Sequence, residues 1–242
     1  MPADAVSLSV VIPAYNEERR LGATLDQVCG FLSGQPWQWE VRVVDDGSQD
    51  RTAAIAETAG AREPRVRVQR EPHRGKGGAV KAGLLSADGQ YRFICDADLS
   101  MPIAEIRRFL PPALGGFDVA IGSREGVAAR RIGEPIHRHL MGRLFNIGVR
   151  WLTLPGIQDS QCGFKMFTAE AVRAIFPQVT VDGWAFDVEV LTIARARGLR
   201  VVEVPIEWHY RRESQINMVR DGFAMLREVL RIRARAMRGL YR

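Results

Sequence analysis

Two aspartates separated by a single residue carry the strongest chemical signal in the sequence. They form the string Asp96-Ala97-Asp98, directly after the apolar run YRFIC. Carboxylate oxygens are hard ligands that suit Mg²⁺ or Mn²⁺, ions that also bind diphosphates. The same string could instead form a turn in which Asp98 caps a helix that begins near Pro102. The residue types alone leave both interpretations open.

Two other predicted strands also end in polar side chains. Tyr15 and Glu17 follow the run VVIP, where an aromatic ring could stack on a base and a carboxylate could accept a hydrogen bond from the base edge. Asp45 and Asp46 follow EVRVV, and the Gly47 after them also suits a simple turn. Unpaired buried carboxylates cost several kcal/mol, so such clusters usually hold a cation or accept donors from a ligand.

Lys76 lies in a glycine-rich string, HRGKGGAV, that enters a predicted helix. Backbone N–H groups at a helix N-terminus can bind a phosphate, although a tight helix entry would explain the glycines equally well. The string lacks the spacing of a P-loop, and no G-x-G-x-x-G follows the first strand. The latter absence disfavours a dinucleotide-dependent oxidoreductase.

An alternation of strand-like and helix-like segments must position these residues. The predicted strands are 8–13, 40–45, 66–69, 91–96 and 118–123. The predicted helices between them are 16–32, 50–61, 77–87 and 103–114. This pattern predicts an α/β fold whose mostly parallel sheet is flanked by helices and binds ligands at the carboxyl ends of its strands. Asn16 and Asp50 stand where helix N-caps are expected.

The second half of the chain is less regular. A loop rich in Gly and Arg (122–133) precedes helices predicted over 135–152, 168–176 and 184–198 and a last strand over 199–208. No low-complexity linker divides the chain, which favours a single domain over residues 1–217.

Residues 218–242 are predicted to form a basic amphipathic helix. Its apolar residues recur at three-, four- and seven-residue steps: Phe223, Leu226, Leu230, Met237 and Tyr241. Such a helix can lie in the headgroup region of an anionic membrane. Alternatively, its first half packs on the core and only its tail is solvated.

The composition excludes several classes of protein. With 46% hydrophobic and 26% charged residues the 242-residue chain is not disordered, and no apolar run approaches the roughly 18–20 residues of a spanning helix. Cys29, Cys95 and Cys162 form no C-x-x-C pair, which fits a reducing cytoplasm. A membrane surface or a phosphorylated substrate could explain the net charge of +6, whereas acidic strand ends would repel a nucleic acid unless a metal intervened. We therefore expect no nucleic-acid partner.

Taken in order, these strings resemble the inverting family-two glycosyltransferases with a GT-A fold. They are VVIPAYNEE, VDDGSQD, GKGGAV, DAD, GSR and QCGFK. Within that family the chain is most similar to the polyprenyl-phosphate glycosyltransferases, especially the dolichyl-phosphate β-glucosyltransferase branch, because of RGKGGAV, DSQCGFKMF and WAFDVE. The resemblance covers roughly residues 7–221.

The resemblance implies roles for individual residues. Those implied to hold the nucleoside are Pro13, Tyr15, Glu17 and Asp46. Those implied to contact the diphosphate and sugar are Asp96, Ala97 and Asp98. Of these, Asp96 and Asp98 would hold the metal, Mg²⁺ or Mn²⁺, with Asp98 as the principal ligand. Arg124 would approach the phosphates, and Asp187 or Glu189 would position the sugar or acceptor. Lys76 is expected to bind a phosphate because of its glycine-rich string and not because of the resemblance.

The implied reaction is an inverting transfer of a hexose, glucose from UDP-glucose, to a polyprenyl or dolichyl phosphate. Such a phosphate is already dianionic, so it needs cations and not a base. We expect these cations in the Arg-rich stretch, at Arg130 or Arg131. Mannose synthases of the family carry a lysine where this chain has Gln215, so a phosphate contact there would fall to Arg211 or Arg212. The implied location is the cytoplasmic face of a membrane, as a peripheral protein.

Three alternatives remain open from the sequence. Mannose could come from GDP-mannose, or a saccharide hydroxyl could be the acceptor with Asp187 as the base. A non-catalytic sugar-nucleotide sensor would keep the base pocket without needing a metal pair.

Overall fold

Strands form the centre of the protein in a computed structural model. The structure describes residues 7–135, 148–149, 151–210 and 218–242, with the backbone alone for 218–223. The described strands are β1 (Ser7–Ala14), β2 (Gln38–Asp45), β3 (Val66–Arg70), β4 (Tyr91–Ile94), β5 (Val119–Ser123), β6 (Arg130–Ile132), β7 (Lys165–Thr168), β8 (Val201–Pro205) and β9 (Glu207–His209). Seven form one sheet in the order β3-β2-β1-β4-β7-β5-β8, and β6 pairs with β9. Among the described strands of the large sheet, only β7 is antiparallel to its neighbours.

Helices cover both faces of this sheet. The described α-helices are α1 (Leu21–Ser33), α2 (Thr52–Arg62), α3 (Lys76–Ser86), α4 (Ala169–Ile175), α5 (Phe186–Ala196) and α6 (Met218–Met237). Strand β1 is buried on both sides, so its alternate residues enter two separate cores. Val10 and Ile12 pack in one core with Leu25 of α1, whereas Val11 packs in the other with Val80 of α3.

The antiparallel strand β7 brings its first residue, Lys165, to the edge where the parallel strands end. It lies between β4 and β5, and Lys165 at its start is in register with Ile94 at the end of β4. Because β7 runs the opposite way, its first residue lies at the edge where the parallel strands end. Lys165 is thereby placed close to the Asp96-Ala97-Asp98 string.

Several predicted boundaries were wrong for local reasons. Helix α1 begins at Leu21 and not at 16, because Asn16 has a left-handed backbone (φ 54°) and its Oδ1 accepts the Gln49 N–H instead of capping a helix. Helix α2 also begins later than predicted, at Thr52, so Arg51 and not Asp50 has the N-cap position, although the Asp50 carboxylate accepts the Thr52 N–H. The segment predicted as a helix over 103–114 contains a 3₁₀ helix, Ile103–Phe109.

The Arg-rich loop and the last strand also differ from the prediction. Part of the loop forms β6, and the strand predicted over 199–208 is divided into β8 and β9, which belong to different sheets. Ile206, between them, is fully buried, and its N–H donates to Ser123 O. The helices predicted over 168–176 and 184–198 are confirmed by α4 and α5. Most of the helix predicted over 135–152 lies outside the described residues.

Candidate active site

The acidic strand ends meet at one edge of the sheet, as the sequence predicted. Strands β2, β1 and β4 are neighbours, so the residues after them lie side by side at their carboxyl ends. The N-terminus of α3 brings Lys76 to this edge, β7 brings Lys165, and the first turn of α5 brings Asp187.

Lys76 is bound directly to the first aspartate of the pair. Its Nζ lies 2.6 Å from Asp96 Oδ1 and 5.7 Å from the centre of the Trp184 ring. Burial by itself would lower the pKa of Lys76, but the carboxylates of Asp96, Asp187 and Asp98 outweigh burial and raise it. Lys76 is therefore a permanent cation at neutral pH.

Gly163 explains how Asp96 fits into this edge. A Cβ at Gly163 would lie 1.9 Å from Asp96 Oδ2, which no real contact tolerates. The Gly in the string QCGFK thus leaves the space that the carboxylate of Asp96 occupies, and the Lys two positions later begins β7.

A second, more deeply buried ion pair joins Lys165 to Asp187. Lys165 is fully buried; its Nζ lies 2.6 Å from Asp187 Oδ1 and also donates to Cys162 O. Burial raises the pKa of Asp187, while Lys165 and Lys76 act in the opposite direction. This carboxylate is therefore held in place by a cation of its own.

Asp98 differs from these carboxylates because it forms no ion pair within the described part of the chain. Its Oδ1 accepts the Ser100 N–H at 2.9 Å in the turn that Leu99, with φ 45°, completes. Ala97 O accepts from Thr24 Oγ1 at 2.6 Å. The alternative that Asp98 caps a helix near Pro102 was wrong, since no side chain in the described part of the chain caps the 3₁₀ helix there.

Asp96 and Asp98 can hold a divalent ion only if other ligands complete the coordination of that ion. The described residues contain no group of three or more His, Cys, Asp or Glu side chains arranged to hold a metal. Among the described residues Asp98 nevertheless offers a carboxylate with no cationic partner, beside the Asp96 carboxylate that Lys76 neutralises. Two hard ligands, with the rest from a diphosphate and water, are a common site for Mg²⁺ or Mn²⁺.

The residues expected to hold the nucleoside lie beside the β1 and β2 ends. Tyr15 stacks on His73, with ring centroids 4.1 Å apart, and Pro13 is in register with Val44. Burial raises the pKa of Glu17, and the partner Arg20 opposes this shift.

Asp46 organises the loop that leads to Lys76. Its carboxylate accepts the N–H groups of Arg74 and Gly75, each at 2.9 Å, and lies 2.8 Å from His73 Nδ1. Gly47 has φ +72°, and a Cβ there would be 2.9 Å from the His73 N. The string VDDGS therefore fixes the loop 73–75 in addition to ending β2.

The arginines expected near the phosphates are mostly engaged by carboxylates. Arg124 donates three hydrogen bonds of 2.7–2.9 Å to the fully buried Asp159. Arg131 binds Glu125 and Glu134, each at 2.7 Å. Arg130 is exposed and forms no ion pair among the described residues, and Arg211 lies outside them.

Sequence reasoning missed Lys165 and Asp159 as organising residues, although both lie in the recognised string DSQCGFK. It also did not decide which of Asp187 and Glu189 faces the site. The structure separates them, because Asp187 reaches the cleft while Glu189 is buried behind it and accepts four hydrogen bonds.

Replacing Arg124 with Gln should destabilise the protein strongly, because it leaves Asp159 buried without a cation. We expect a loss of about 3–5 kcal/mol in the free energy of unfolding, measured by urea denaturation at neutral pH. Arg130→Gln is the matched control and should change it by no more than about 0.5 kcal/mol. Similar losses in both variants would contradict the assigned pairing.

The same pair predicts acid sensitivity. Burial alone would raise the pKa of Asp159, but Arg124 outweighs burial and lowers it to about 2 from 3.8. A lowered pKa contributes stability that is present above the ordinary value and is lost as the pH falls towards the lowered one. The free energy of unfolding of the wild type should therefore fall between about pH 4 and pH 2, and in Arg124→Gln this contribution should be missing.

Comparison with known proteins bears on the family and the fold. The model of glycosyl transferase family 2 matches residues 9–176. A dolichyl-phosphate beta-glucosyltransferase of Dictyostelium discoideum is 33% identical, over 100% of this chain and 78% of the relative. The Homo sapiens protein of that name is 34% identical, over 97% of this chain and 77% of the relative.

Solved structures show the same fold. Mannosyl-3-phosphoglycerate synthase from Rubrobacter xylanophilus has a TM-score of 0.70 at 20% identity, covering 96% of this chain and 74% of that one. Glucosyl-3-phosphoglycerate synthase from Mycobacterium tuberculosis, in complex with Mn²⁺, UDP and glucosyl-3-phosphoglycerate, has a TM-score of 0.68 at 21% identity, covering 94% and 78%. With a family model along most of its length and relatives above 30% identity along nearly all of it, the chain belongs to glycosyl transferase family 2 and is a glycosyltransferase with the GT-A fold.

Proposed function

We propose that this enzyme transfers glucose from UDP-glucose to a polyprenyl phosphate, dolichyl phosphate in particular, with inversion at the anomeric carbon and with Mg²⁺ or Mn²⁺. The observation that carries the proposal is the joint position of Lys76, Asp96 and Asp98 at the strand ends. The names of the relatives that match nearly the whole chain support the sugar and the acceptor. A structural neighbour crystallised with Mn²⁺ and UDP supports the donor and the metal.

The donor side requires stabilisation of a departing nucleoside diphosphate. Asp98, with Asp96, would hold the metal, which when bound supplies positive charge to the diphosphate oxygens. Lys76 stays protonated and would bind the diphosphate directly, in a site where charge interactions are stronger than in water. Tyr15, His73 and Glu17 would line the nucleoside side, and Asp46 would hold the loop between the two parts.

The acceptor side favours a phosphate over a hydroxyl group. A hydroxyl nucleophile would need a general base, and Asp187, the candidate base, is bound to Lys165. A dianionic phosphate needs only cations. Arg130, exposed and without an ion pair among the described residues, is the arginine we assign to the acceptor phosphate, with Arg131 and Arg211 as neighbours to test.

Helix α6 would bring the enzyme to the membrane that contains the acceptor. Val229 and Ile232 are buried against the core, while Leu226, Leu230 and Met237 are exposed along a different stripe of the helix. Arg227 and Arg231 are exposed beside this stripe. Trp151, also highly exposed, is adjacent to Leu152, whose carbonyl accepts from Arg233 of α6. Apolar residues flanked by arginines suit an anionic headgroup region.

We propose that the enzyme is a peripheral protein at the cytoplasmic face and contacts the membrane through this surface of α6. Within the described ranges, no helix has the length and apolar character needed to cross a bilayer. One residue of the predicted apolar stripe is placed differently, because Tyr241 is fully buried and belongs to the packing side.

The reaction can be tested with purified enzyme and vesicles that contain dolichyl phosphate. Labelled UDP-glucose and GDP-mannose are supplied separately, and the organic-extractable product is hydrolysed in mild acid. We expect label only from UDP-glucose and a β-linked product by NMR. Label from GDP-mannose would show that the donor is not UDP-glucose. Transfer to a water-soluble saccharide would show that the acceptor is not a polyprenyl phosphate. Donor binding without turnover would identify a sensor.

Asp98→Asn should weaken metal binding without destabilising the fold, because an amide oxygen can still accept the Ser100 N–H. We expect turnover to fall by about 10²–10³-fold and the Mn²⁺-dependent part of UDP binding, measured by calorimetry, to disappear. The melting temperature should stay close to that of the wild type. Glu170→Gln, at an exposed surface pair, is the control. UDP binding that is equally tight with Mn²⁺ and with EDTA in the wild type would refute the metal assignment.

The double variant Leu226→Glu, Leu230→Glu tests the membrane surface. Each leucine that enters the lipid contributes about 1.5–3 kcal/mol, so co-sedimentation with vesicles containing anionic lipid should weaken by more than about tenfold. UDP binding should be unchanged. Leu85→Glu changes a comparably exposed leucine on α3 and should have no effect on sedimentation. Equal behaviour of the two variants would exclude α6 as the membrane contact.

A further inference from the structure

Glu189 is a fully buried carboxylate that the proposed chemistry does not use. Its oxygens accept the N–H of Thr180 at 2.7 Å, the Thr180 hydroxyl at 2.8 Å, the N–H of Val181 at 2.8 Å and the hydroxyl of Tyr241 at 2.7 Å. All four donors come from outside α5. Glu189 therefore joins the segment before α5 to the end of the chain after α6.

The segment that Glu189 holds is the one that contacts the N-terminus of α3. Asp182 O accepts the N–H groups of Gly77 and Gly78, at 2.7 and 3.3 Å. A Cβ at Gly75 would lie 2.7 Å from Asp182 O, and one at Gly77 would lie 2.6 Å from Val181 O. Lys76 stands between these two glycines, so a shift of residues 181–182 is passed directly to the backbone of Lys76.

Tyr241 is an unusual partner for such a network because it comes after α6. It is fully buried, and the guanidinium of Arg235 lies 5.3 Å from its ring centre. Gly239, with φ +72°, turns the chain after α6 so that the ring enters the core. Burial, together with the carboxylate of Glu189, raises the pKa of Tyr241, so its hydroxyl remains a donor at neutral pH.

We propose that Tyr241 and Glu189 are positioning residues for Lys76. The hydroxyl of Tyr241 orients Glu189, Glu189 fixes residues 180–181, and Asp182 O fixes the first turn of α3 from which Lys76 reaches the diphosphate. The inference rests on the proposed function only in assigning a diphosphate to Lys76. The network itself is independent of which sugar or base the donor carries.

Three variants distinguish hydrogen bonding from charge and bulk. Glu189→Gln can keep all four contacts, because its amide oxygen accepts both backbone N–H groups and its NH₂ donates to the two hydroxyl groups. Glu189→Met has a similar length but accepts none of them. Tyr241→Phe keeps the ring and removes one donor. Val28→Ala, in the other core of the sheet, is a control for general loss of stability.

The first readout is hydrogen exchange of the folded enzyme, followed by mass spectrometry of peptides covering residues 75–81. We expect exchange there to be about tenfold faster in Glu189→Met and Tyr241→Phe, because opening of the first turn becomes easier by about 1.4 kcal/mol. Exchange in β1 and β2 should be unchanged. Glu189→Gln should resemble the wild type, and Val28→Ala should not produce this local pattern.

The second readout is calorimetric binding of inorganic pyrophosphate and of UDP with Mn²⁺. Both should weaken by about tenfold in Glu189→Met and less in Tyr241→Phe, and Glu189→Gln should bind like the wild type. Wild-type exchange over 75–81 in Glu189→Met, acceleration spread equally over β1 and β2, or unchanged binding of both anions would overturn the proposal. A preference for GDP-mannose would contradict the proposed function and leave these results as predicted.

Discussion

Opposite charges alternate along the edge of the sheet where the site lies. Lys76 binds Asp96 and is attracted by Asp187, while Lys165 binds Asp187 from the buried side. In a poorly solvated cleft, carboxylates brought so close without cations would take up protons. The two lysines therefore allow acidic residues from different elements to share one place. The glycines around Lys76 and Asp96, the reversed strand β7 and the N-terminal turn of α5 all serve this arrangement.

The sequence was sufficient to predict which strand ends would meet. Buried apolar runs in β1, β2 and β4 imply a parallel sheet, and parallel strands bring their carboxyl ends to one edge. This places Glu17, Asp46, Asp96 and Asp98 together before any coordinate is known. Lys165 could not be placed in this way. It arrives on a strand inserted between β4 and β5 from later in the chain, and strand order and direction leave no periodic signal.

The ion-pair partners of the arginines could not be predicted from the sequence either. The excess of Arg in residues 122–133 was visible, but it did not reveal that Arg124 is bound by Asp159, 35 positions away. Tyr241 was assigned to the exposed stripe because it continues the helical spacing from Met237. The spacing no longer applies there, since helix α6 ends at Met237 and Gly239 redirects the chain. Sequence patterns did not predict contacts between residues distant in the chain, nor the single turn that follows helix α6.

Helix α5 presents two carboxylates in different directions. Asp187 and Glu189 are separated by about 200° around the helix axis, and each is fixed by partners from other elements. A rotation of α5 that improved the contacts of one would break those of the other. The rotational position of α5 is therefore determined jointly by both carboxylates, so a substitution at either one also disturbs the placement of the other.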